Sequence, residues 1–353
     1  MTFREIVGHR RLIGLLERAI RSESLPPSLI FAGPDGVGKR LVALAAAQAM
    51  NCPTPVIDAV SGQRDGCGRC SACGKIERGQ HPDVKVVEAE GNSSIKIDPV
   101  REVVGQTAYR PFEGRARVVI IDRADLLGED AQNALLKTLE EPPPRNVFVL
   151  VTSRPHLLLT TVRSRCCVLR FAPLAPGDIA TALIQRHKYA ERDARAAAAL
   201  SGGSFARAMD AGTGELAEAR EVAADILTRA ASAPDARGRL AVGAALLQAA
   251  GKKGKDKEGK DREGKGPGAD RGALAVRLRA LGSLLRDLTV LTTRAPEAAL
   301  VNLDLRADLE PLTRIYDRDR LARAFSAVGR SLVVLERQNA SPKIVVDWLA
   351  FQL

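Results

Sequence analysis

Gly33-Pro34-Asp35-Gly36-Val37-Gly38-Lys39-Arg40 is the stretch that decides the fold of this 353-residue chain. It fits the phosphate-loop pattern G-x-x-x-x-G-K-[ST] at every position except the last. In that pattern the glycines let backbone N–H groups face phosphate oxygens, the lysine reaches the terminal phosphates, and the final hydroxyl ligates magnesium. Arg40 has no such oxygen and adds a positive charge where the cation would lie. The candidate phosphate-binding residues are Gly33, Gly36, Gly38 and Lys39.

A second segment also has the scaffold residues of an ATPase but lacks a catalytic group. Val118–Asp122 is an apolar run that ends in a carboxylate, which is the form of a Walker B strand. The next position, where related ATPases usually carry a water-activating glutamate, is Arg123. Two separate steps of hydrolysis are therefore predicted to be disabled. The loop backbone and Lys39 could still contact phosphate. Two alternatives therefore remain: weak binding of ATP or ADP, and a loop that binds no nucleotide.

Strand and helix signals alternate up to about residue 172. Continuous apolar runs rich in β-branched residues are typical of parallel strands buried on both faces. A strand, a glycine loop and a helix in that order is the context that a phosphate loop requires. The predicted strands are Ser28–Ala32, Val84–Val87, Val118–Asp122, Val147–Thr152 and Cys167–Phe171, and the predicted helices are Arg40–Met50, Asp98–Ala108 and Asp130–Leu139. We expect an α/β domain with a parallel sheet over residues 1–172.

The rest of the chain is predicted to be helical. Residues 173–212 favour a few short helices broken at Gly202-Gly203, and residues 213–353 favour longer ones. Within the latter, residues 251–272 contain glycine and charged residues and almost no apolar ones, which predicts a flexible insertion. The predicted helices there are Glu215–Gln248, Ala273–Thr293 and Arg318–Leu353.

Composition limits the setting in which the chain works. It has 53 basic and 42 acidic residues and a net charge of +11, which permits contact with a polyanion without requiring it. The N-terminus has no apolar signal core, and no run approaches the roughly 18 apolar residues of a membrane span. We expect a cytoplasmic protein without a membrane partner, in a compartment where thiols stay reduced.

Four cysteines are spaced as metal ligands. Cys67, Cys70 and Cys73 recur at intervals of three, and Cys52 lies 15 positions before the first of them. Four thiolates match a structural tetrahedral Zn²⁺ site within a 52–73 insertion, and such a closed site leaves no position for catalysis. An iron–sulfur cluster and a set of free thiols are the alternatives. Cys166 and Cys167, beside a predicted strand, are expected to be plain buried thiols.

An arginine follows the fourth predicted strand in Ser164-Arg165-Cys166. Such a residue can reach across a subunit boundary and stabilise charge on a transferred phosphoryl group. From the residues alone, a surface arginine beside Arg163 and Arg170 is the better interpretation.

Together these motifs resemble the clamp-loader subunits of bacterial DNA polymerase III, of the AAA+ class, and among them the delta-prime family. The resemblance is dense over residues 3–172 and looser to about residue 212. Beyond that point, the chain resembles the family mainly in being helical. Its motifs, in order, are Phe3–His9, the loop Gly33–Lys39, the Cys67–Cys73 trio with His81-Pro82-Asp83, the block Asn133–Pro143, and Ser164-Arg165-Cys166.

The resemblance implies three domains: an AAA+ P-loop domain (1–172), a small helical lid (173–212) and an all-α collar (213–353). It implies a non-catalytic member of a hetero-pentamer with gamma/tau and delta subunits, which places a sliding clamp on primed DNA. Arg165 would complete a neighbour's ATP site, and Cys52, Cys67, Cys70 and Cys73 would hold zinc. In the chain's own pocket, Asp122 would be the Walker B carboxylate, and Thr152 or Ser153 would mark the sensor-1 position.

Two features depart from the family pattern. The interval from Cys52 to Cys67 is longer than in the family. Arg207 is offset by one position from the sensor-2 arginine of the motor subunits, which fits a subunit that does not turn over ATP. An ATP-hydrolysing gamma/tau-type subunit is the alternative function, and Arg40 and Arg123 argue against it. A small-molecule nucleotide kinase is a third class, disfavoured by the cysteine insertion and the helical C-terminal third.

Overall fold

A parallel five-stranded sheet is the centre of the N-terminal part of the computed structural model. Its strands are β1 (Ser28–Ala32), β4 (Val84–Val87), β5 (Arg117–Ile121), β6 (Asn146–Thr152) and β7 (Cys167–Arg170), in the spatial order β4-β5-β6-β1-β7. Every residue of β1, β5 and β6 is buried, as expected for parallel strands covered on both faces. A separate antiparallel pair joins β2 (Val56–Ile57) to β3 (Arg64–Asp65).

The structure describes residues 2–58, 62–89, 93–210, 215–233, 235–248, 267–293, 295, 300–337 and 340–353. The chain divides into two units. The first comprises Met1–Asp178 and Gly203–Ala206, and the second comprises Ile179–Gly202 and Arg207–Leu353.

Helices accompany the strands of the first unit. They are α1 (Arg10–Arg21), α2 (Lys39–Asn51), α3 (Ser71–Glu77), α4 (Ile97–Gln106), α5 (Glu129–Glu140) and α6 (Thr160–Arg163). The apolar sides of α4 and α5 pack with strand residues in one core that includes Ile121, Leu135 and Phe148. Since β1 leads directly into the glycine loop and α2, the loop lies at the carboxyl edge of the sheet, where parallel α/β folds bind ligands.

The remaining helices are α7 (Pro176–His187), α8 (Glu191–Leu200), α9 (Phe205–Asp210), α10 (Glu215–Ser232), α11 (Ala236–Gln248), α12 (Pro267–Thr292), α13 (Arg306–Leu309), α14 (Arg318–Arg337) and α15 (Pro342–Ala350). The core of the second unit is built around α12, whose Leu281, Leu284 and Leu288 are fully buried. Tyr316 is also fully buried and donates its hydroxyl to the Leu227 carbonyl at 3.2 Å, which satisfies its one polar atom.

The predicted α/β fold, a parallel sheet with a glycine loop followed by a helical region, is confirmed. Strands β1 and β4 begin and end as predicted, and β5, β6 and β7 differ by at most one residue at either end, whereas the two-residue strands β2 and β3 were not predicted. The three-domain division stays a prediction, since the chain separates into two units with α8 in the second. No helix within the described ranges combines the length and the apolar character needed to cross a bilayer.

Two local predictions were wrong. Helix α4 starts at Ile97 with Lys96 as its N-cap, so Asp98 and Pro99 lie inside the first turn, where no backbone N–H is needed. Helix α12 starts at Pro267, so the last six residues of the predicted 251–272 insertion are helical. Proline suits a first helical position because its φ is already helical. Residues 251–266 lie outside the described residues.

Candidate nucleotide pocket and four-cysteine centre

The glycine loop has the backbone geometry that its sequence predicts. Gly36 and Gly38 have φ of 75° and 99°, a region that favours glycine, and Gly38 is the N-cap of α2. A β-carbon at Gly36 would collide with the Ser204 hydroxyl, and the Gly36 carbonyl accepts a hydrogen bond from the Ala206 N–H at 3.2 Å. The Gly203–Ala206 segment therefore packs directly on the loop, within the same unit.

Lys39 lies within the loop rather than in solvent. Its side chain is only 6% exposed, and Nζ donates to the carbonyls of Gly33 at 2.7 Å and Pro34 at 2.6 Å. Burial lowers the pKa of Lys39, and the carboxylates of Asp35, Asp122 and Asp125 partly oppose that shift. The lysine thus has polar partners in the loop and stays close to the phosphate-binding backbone.

Arg40 forms a bridge across the carboxyl edge of the sheet. Its Nη1 donates to Glu88 Oε2 at 2.5 Å and to Asp122 Oδ2 at 3.1 Å. The two carboxylates are neighbours because Val87 and Ile121, the residues before them, pair in the parallel ladder of β4 and β5. The other oxygen of Asp122, Oδ1, accepts the Arg123 N–H at 3.0 Å. Both oxygens of the Walker B carboxylate are therefore occupied by protein donors.

Sequence reasoning missed Glu88, although a signal for it was present. It is the acidic residue that directly follows the predicted strand Val84–Val87, just as Asp122 follows the strand of β5. A carboxylate at the end of one strand becomes informative only when the neighbouring strand and the register are known.

Thr152, at the end of β6, is 1% exposed and engaged by a second arginine–carboxylate pair. Its hydroxyl donates to Asp125 Oδ1 at 2.8 Å, and Arg154 donates from Nε and Nη2 to Asp125 Oδ2 at 2.9 and 2.7 Å. Burial alone would raise the pKa of Asp125, but these hydrogen bonds lower it below its usual value. Asp125 and Arg154 were not predicted. Ser153, the alternative to Thr152, is partly exposed beside it.

Arg165 lies just after α6, on the surface of the first unit. Its Nε and Nη2 donate to Glu140 Oε2 at 3.3 and 3.1 Å, and Nη1 donates to the Thr161 carbonyl at 3.0 Å. The side chain is 32% exposed, and its partner Glu140 is 59% exposed. The guanidinium is therefore oriented by Glu140, the residue that closes α5, and remains accessible from solvent.

The structure brings the four predicted cysteine ligands together. The Sγ atoms of Cys52, Cys67, Cys70 and Cys73 all lie within 4.8 Å of one another. Cys52 is the C-cap of α2, Cys70 is the N-cap of α3, and Cys73 lies inside α3. The long interval between Cys52 and Cys67 contains the β2–β3 pair, which returns the chain to Cys52. The spacing that departs from the family pattern is thus compatible with a four-thiol cluster.

Hydrogen bonds to sulfur support the same arrangement. The N–H groups of Cys67, Cys70 and Cys73 point to the sulfurs of Cys52, Cys67 and Cys70 at 3.4, 3.3 and 3.4 Å. Such donors orient and stabilise thiolate ligands. The pKa of Cys67 is lowered to about 6, chiefly by the backbone N–H of Arg69, whereas burial raises the pKa of Cys73. Four converging sulfurs fit a tetrahedral thiolate site for one metal ion.

Cys166 and Cys167 are not a matched pair of buried thiols. Cys166 is partly buried, and burial raises its pKa to about 12. Cys167 is exposed, so its prediction was wrong. The reason is the position of β7 at the edge of the sheet, which leaves one side of this strand uncovered.

The cysteine segment is also tied to the N-terminus. Asp65, one residue before the Gly66–Cys73 stretch, accepts the N–H of Phe3 at 3.0 Å and of Arg4 at 3.2 Å, and it pairs with Arg4 Nε at 3.1 Å. The N-terminal motif and the cysteine segment, far apart in sequence, therefore form one structural module.

Asp83, from the His81-Pro82-Asp83 motif, is a fully buried carboxylate. It accepts the backbone N–H groups of Phe112, Glu113 and Gly114 at 2.7, 2.9 and 2.8 Å and the Nη2 of Arg117 at 3.1 Å. Burial raises its pKa, but the three N–H groups and the guanidinium together lower it below its usual value. This motif residue is thus structural: it holds the loop that enters β5.

These features define a P-loop α/β protein with an altered cation site and a cysteine centre that fits a structural metal. A family profile described as DNA polymerase III, delta subunit, matches residues 8–175. The chain is 36% identical over 165 residues to the tau/gamma subunit of DNA polymerase III from Haemophilus influenzae, covering 47% of this chain and 23% of the relative. It is 35% identical over 176 residues to the delta' subunit from Bacillus subtilis, covering 50% of this chain and 51% of the relative.

Residues 8–175 are therefore similar to a region found in DNA polymerase III delta' and tau/gamma subunits. The aligned region spans between 23% and 51% of the length of those two relatives. Among solved structures, a DNA polymerase III gamma subunit-related protein from Thermotoga maritima is similar with a TM-score of 0.41 and 17% identity, over 95% of this chain and 97% of that one.

Proposed function

We propose that this chain is a non-catalytic, delta-prime-type subunit of a DNA polymerase III clamp loader. The observation that carries the proposal is the Arg40 bridge to Glu88 and Asp122. In hydrolysing P-loop enzymes, the corresponding hydroxyl and the Walker B carboxylate hold magnesium. Here an arginine replaces the hydroxyl and occupies the carboxylate. A pocket of this kind keeps the scaffold of an ATPase without its cation site.

Arg165 is proposed to act on a neighbouring subunit rather than on this chain's own pocket. Its contacts with Glu140 and Thr161 orient the guanidinium at the surface. An arginine held in this way can approach the phosphates of a nucleotide bound to an adjacent subunit, where such residues stabilise the charge of phosphoryl transfer. The proposed neighbour is a gamma/tau-type subunit with an intact ATP site.

The four cysteines are proposed to hold one structural Zn²⁺. Cys52 and Cys73 are fully buried, and Cys67 and Cys70 are partly exposed, so the ion would link the end of α2 to α3. Zinc in such a site contributes folding energy rather than chemistry. The further proposed partners are a delta subunit, the sliding clamp and primed DNA, in the cytoplasm.

A hydrolysing gamma/tau-type motor is the competing proposal, because the tau/gamma relative of Haemophilus influenzae is as similar as the delta' relative. Measuring DNA-stimulated ATP hydrolysis by the isolated chain separates the two. We expect no turnover above background. Turnover comparable with a motor subunit, abolished in Lys39→Ala, would favour the motor.

Assembly tests the proposal directly. The full-length chain is mixed with the delta and gamma/tau subunits of its own organism, and native mass spectrometry determines the stoichiometry. We expect a defined pentamer containing one copy of this chain. If no such complex forms, the clamp-loader proposal fails whatever the isolated chain does with nucleotide.

A further inference from the structure

We infer that the glycine loop binds the phosphates of a nucleotide without a divalent cation, and that Arg40 supplies the positive charge which magnesium supplies elsewhere. The inference rests on the proposed function only in taking the pocket as non-catalytic. Phosphate binding does not depend on membership of a clamp-loader ring. Either the binding proposal or the clamp-loader proposal can therefore fail without the other.

Protein donors already occupy the Asp122 oxygens that magnesium would need. Mg²⁺ requires near-octahedral oxygen ligands and loses its waters reluctantly. The motif hydroxyl is absent, Asp122 Oδ2 accepts Arg40 Nη1 at 3.1 Å, and Asp122 Oδ1 accepts the Arg123 N–H at 3.0 Å. A metal ion at this carboxylate would have to displace a cation that is covalently fixed at the second residue of α2. The local geometry therefore disfavours the metal and retains the arginine.

Arg40 still has N–H donors that its bridge to the two carboxylates does not use. A guanidinium carries five N–H donors in a fixed fork, which matches phosphate oxygens well. Both carboxylates are reached through Nη1, so Nε and Nη2 have no hydrogen-bond partner among the described residues. The side chain is 41% exposed. Arg40 can thus keep its bridge to Glu88 and Asp122 and also donate to a phosphate.

Lys39 and the N-terminus of α2 add positive charge beside Arg40. Lys39, whose side chain is 6% exposed, and Arg40 are the first two residues of the 13-residue helix α2. The N-terminus of such a helix presents free backbone N–H groups and a partial positive charge, both of which favour anions. A buried ammonium, a positioned guanidinium and the loop amides together form a cationic site for phosphate that is complete without metal.

Isothermal titration of the full chain with ADP, in excess Mg²⁺ and in EDTA, tests the inference. For the wild type we expect binding in both media, with affinities within about twofold of each other. Arg40→Thr restores the motif hydroxyl and frees both carboxylates, so we expect ADP to bind at least about tenfold more tightly with Mg²⁺ than in EDTA. Arg40→Lys keeps a cation and is expected to remain independent of the metal.

Arg229→Thr is the matched control, because it removes an arginine whose ion pair with Asp225 lies within one helix of the other unit. It is expected to behave as the wild type. The inference is overturned if ADP does not bind the wild type in EDTA, if wild-type binding requires Mg²⁺, or if Arg40→Thr shows no greater dependence on the metal than the wild type. Circular dichroism of each variant reports whether it is folded, and Arg40→Lys provides the test if Arg40→Thr is not.

Discussion

Replacing Asp83 by asparagine removes one negative charge from the interior of the first unit while keeping the shape of the side chain. The carboxylate is fully buried and accepts three backbone N–H groups from residues 112–114. Its Oδ1 also lies 3.1 Å from Nη2 of Arg117, whose side chain is only 8% exposed. The variant therefore leaves a buried guanidinium without its counter-charge at the start of β5.

The expected loss of stability follows from that geometry. Removing one partner of a buried ion pair costs about 3–5 kcal/mol, because the remaining charge is left uncompensated away from water. Each Asp83 oxygen accepts two donors, so in either orientation the asparagine NH2 group would face two N–H donors, and we expect the upper part of that range, about 5 kcal/mol. Arg117 also donates to the carbonyls of Tyr109 and Arg110, which supply some compensation but no charge.

Native-state hydrogen exchange of the β4 and β5 amides measures this loss in the first unit alone, without assuming that both units unfold together. Glu113→Gln is the control, since Glu113 lies in the same loop but pairs with Lys75 at the surface, where such a pair contributes about 0.2–1 kcal/mol. If Asp83→Asn changes the opening free energy of β5 by no more than the control does, the buried pair is not what holds the loop and the reasoning is wrong.

The remaining predictions concern acid, metal and the partner subunit. The pKa of Asp83 is lower in the folded protein than in the unfolded chain, so its ionised form stabilises the fold at pH values above the unfolded pKa of about 4. This stabilisation is lost as the pH falls through the folded pKa. In a pH series of thermal melts, Asp83→Asn should therefore reduce the fall in melting temperature at acid pH. Metal analysis of the purified chain should find about one zinc per chain, as four thiolates around one ion require, and much less in Cys73→Ser; iron, or no metal in the wild type, would contradict the site. Arg165→Ala should leave the melt of the isolated chain unchanged and lower the ATPase rate of the assembled loader, by up to the ~10³-fold scale of trans-acting arginines at one site. Arg163→Ala is its control, and an unchanged assembled rate would refute the role of Arg165.

The central strands β1, β5 and β6 could be predicted because each contains a short, continuous apolar run. Such runs are buried on both faces by helices, so burial and β-propensity agree along their whole length. The glycine loop was predictable for a similar reason: φ values of 75° and 99° at Gly36 and Gly38 require residues without a β-carbon. Local sequence is sufficient where a single physical requirement acts on consecutive residues.

The parts that were missed depend on residues distant in sequence. Glu88 joins the pocket only because β4 and β5 are neighbours in register, which no property of either strand reveals. Cys167 is exposed because β7 is the last strand of the sheet, and strand order is a property of the whole unit. The Asp125–Arg154 pair at Thr152 likewise joins two segments that follow different strands.

Helix α2 connects the two centres of the first unit. It begins with Lys39 and Arg40 at the pocket, and Cys52 of the cysteine centre is its C-cap. At 1.5 Å per residue, its 13 residues separate the two ends by about 20 Å. Gln48 donates to the Cys73 carbonyl at 2.9 Å and Arg64 Nε donates to the Ala49 carbonyl at 3.0 Å, so the last turns of the helix are fixed by the cysteine segment. A metal ion held by the four sulfurs would lie far from phosphates bound at the glycine loop. It would act on the pocket by holding the C-terminal end of the helix whose first two residues carry the cations, so the proposed structural site and the proposed binding site can share one helix without sharing a ligand.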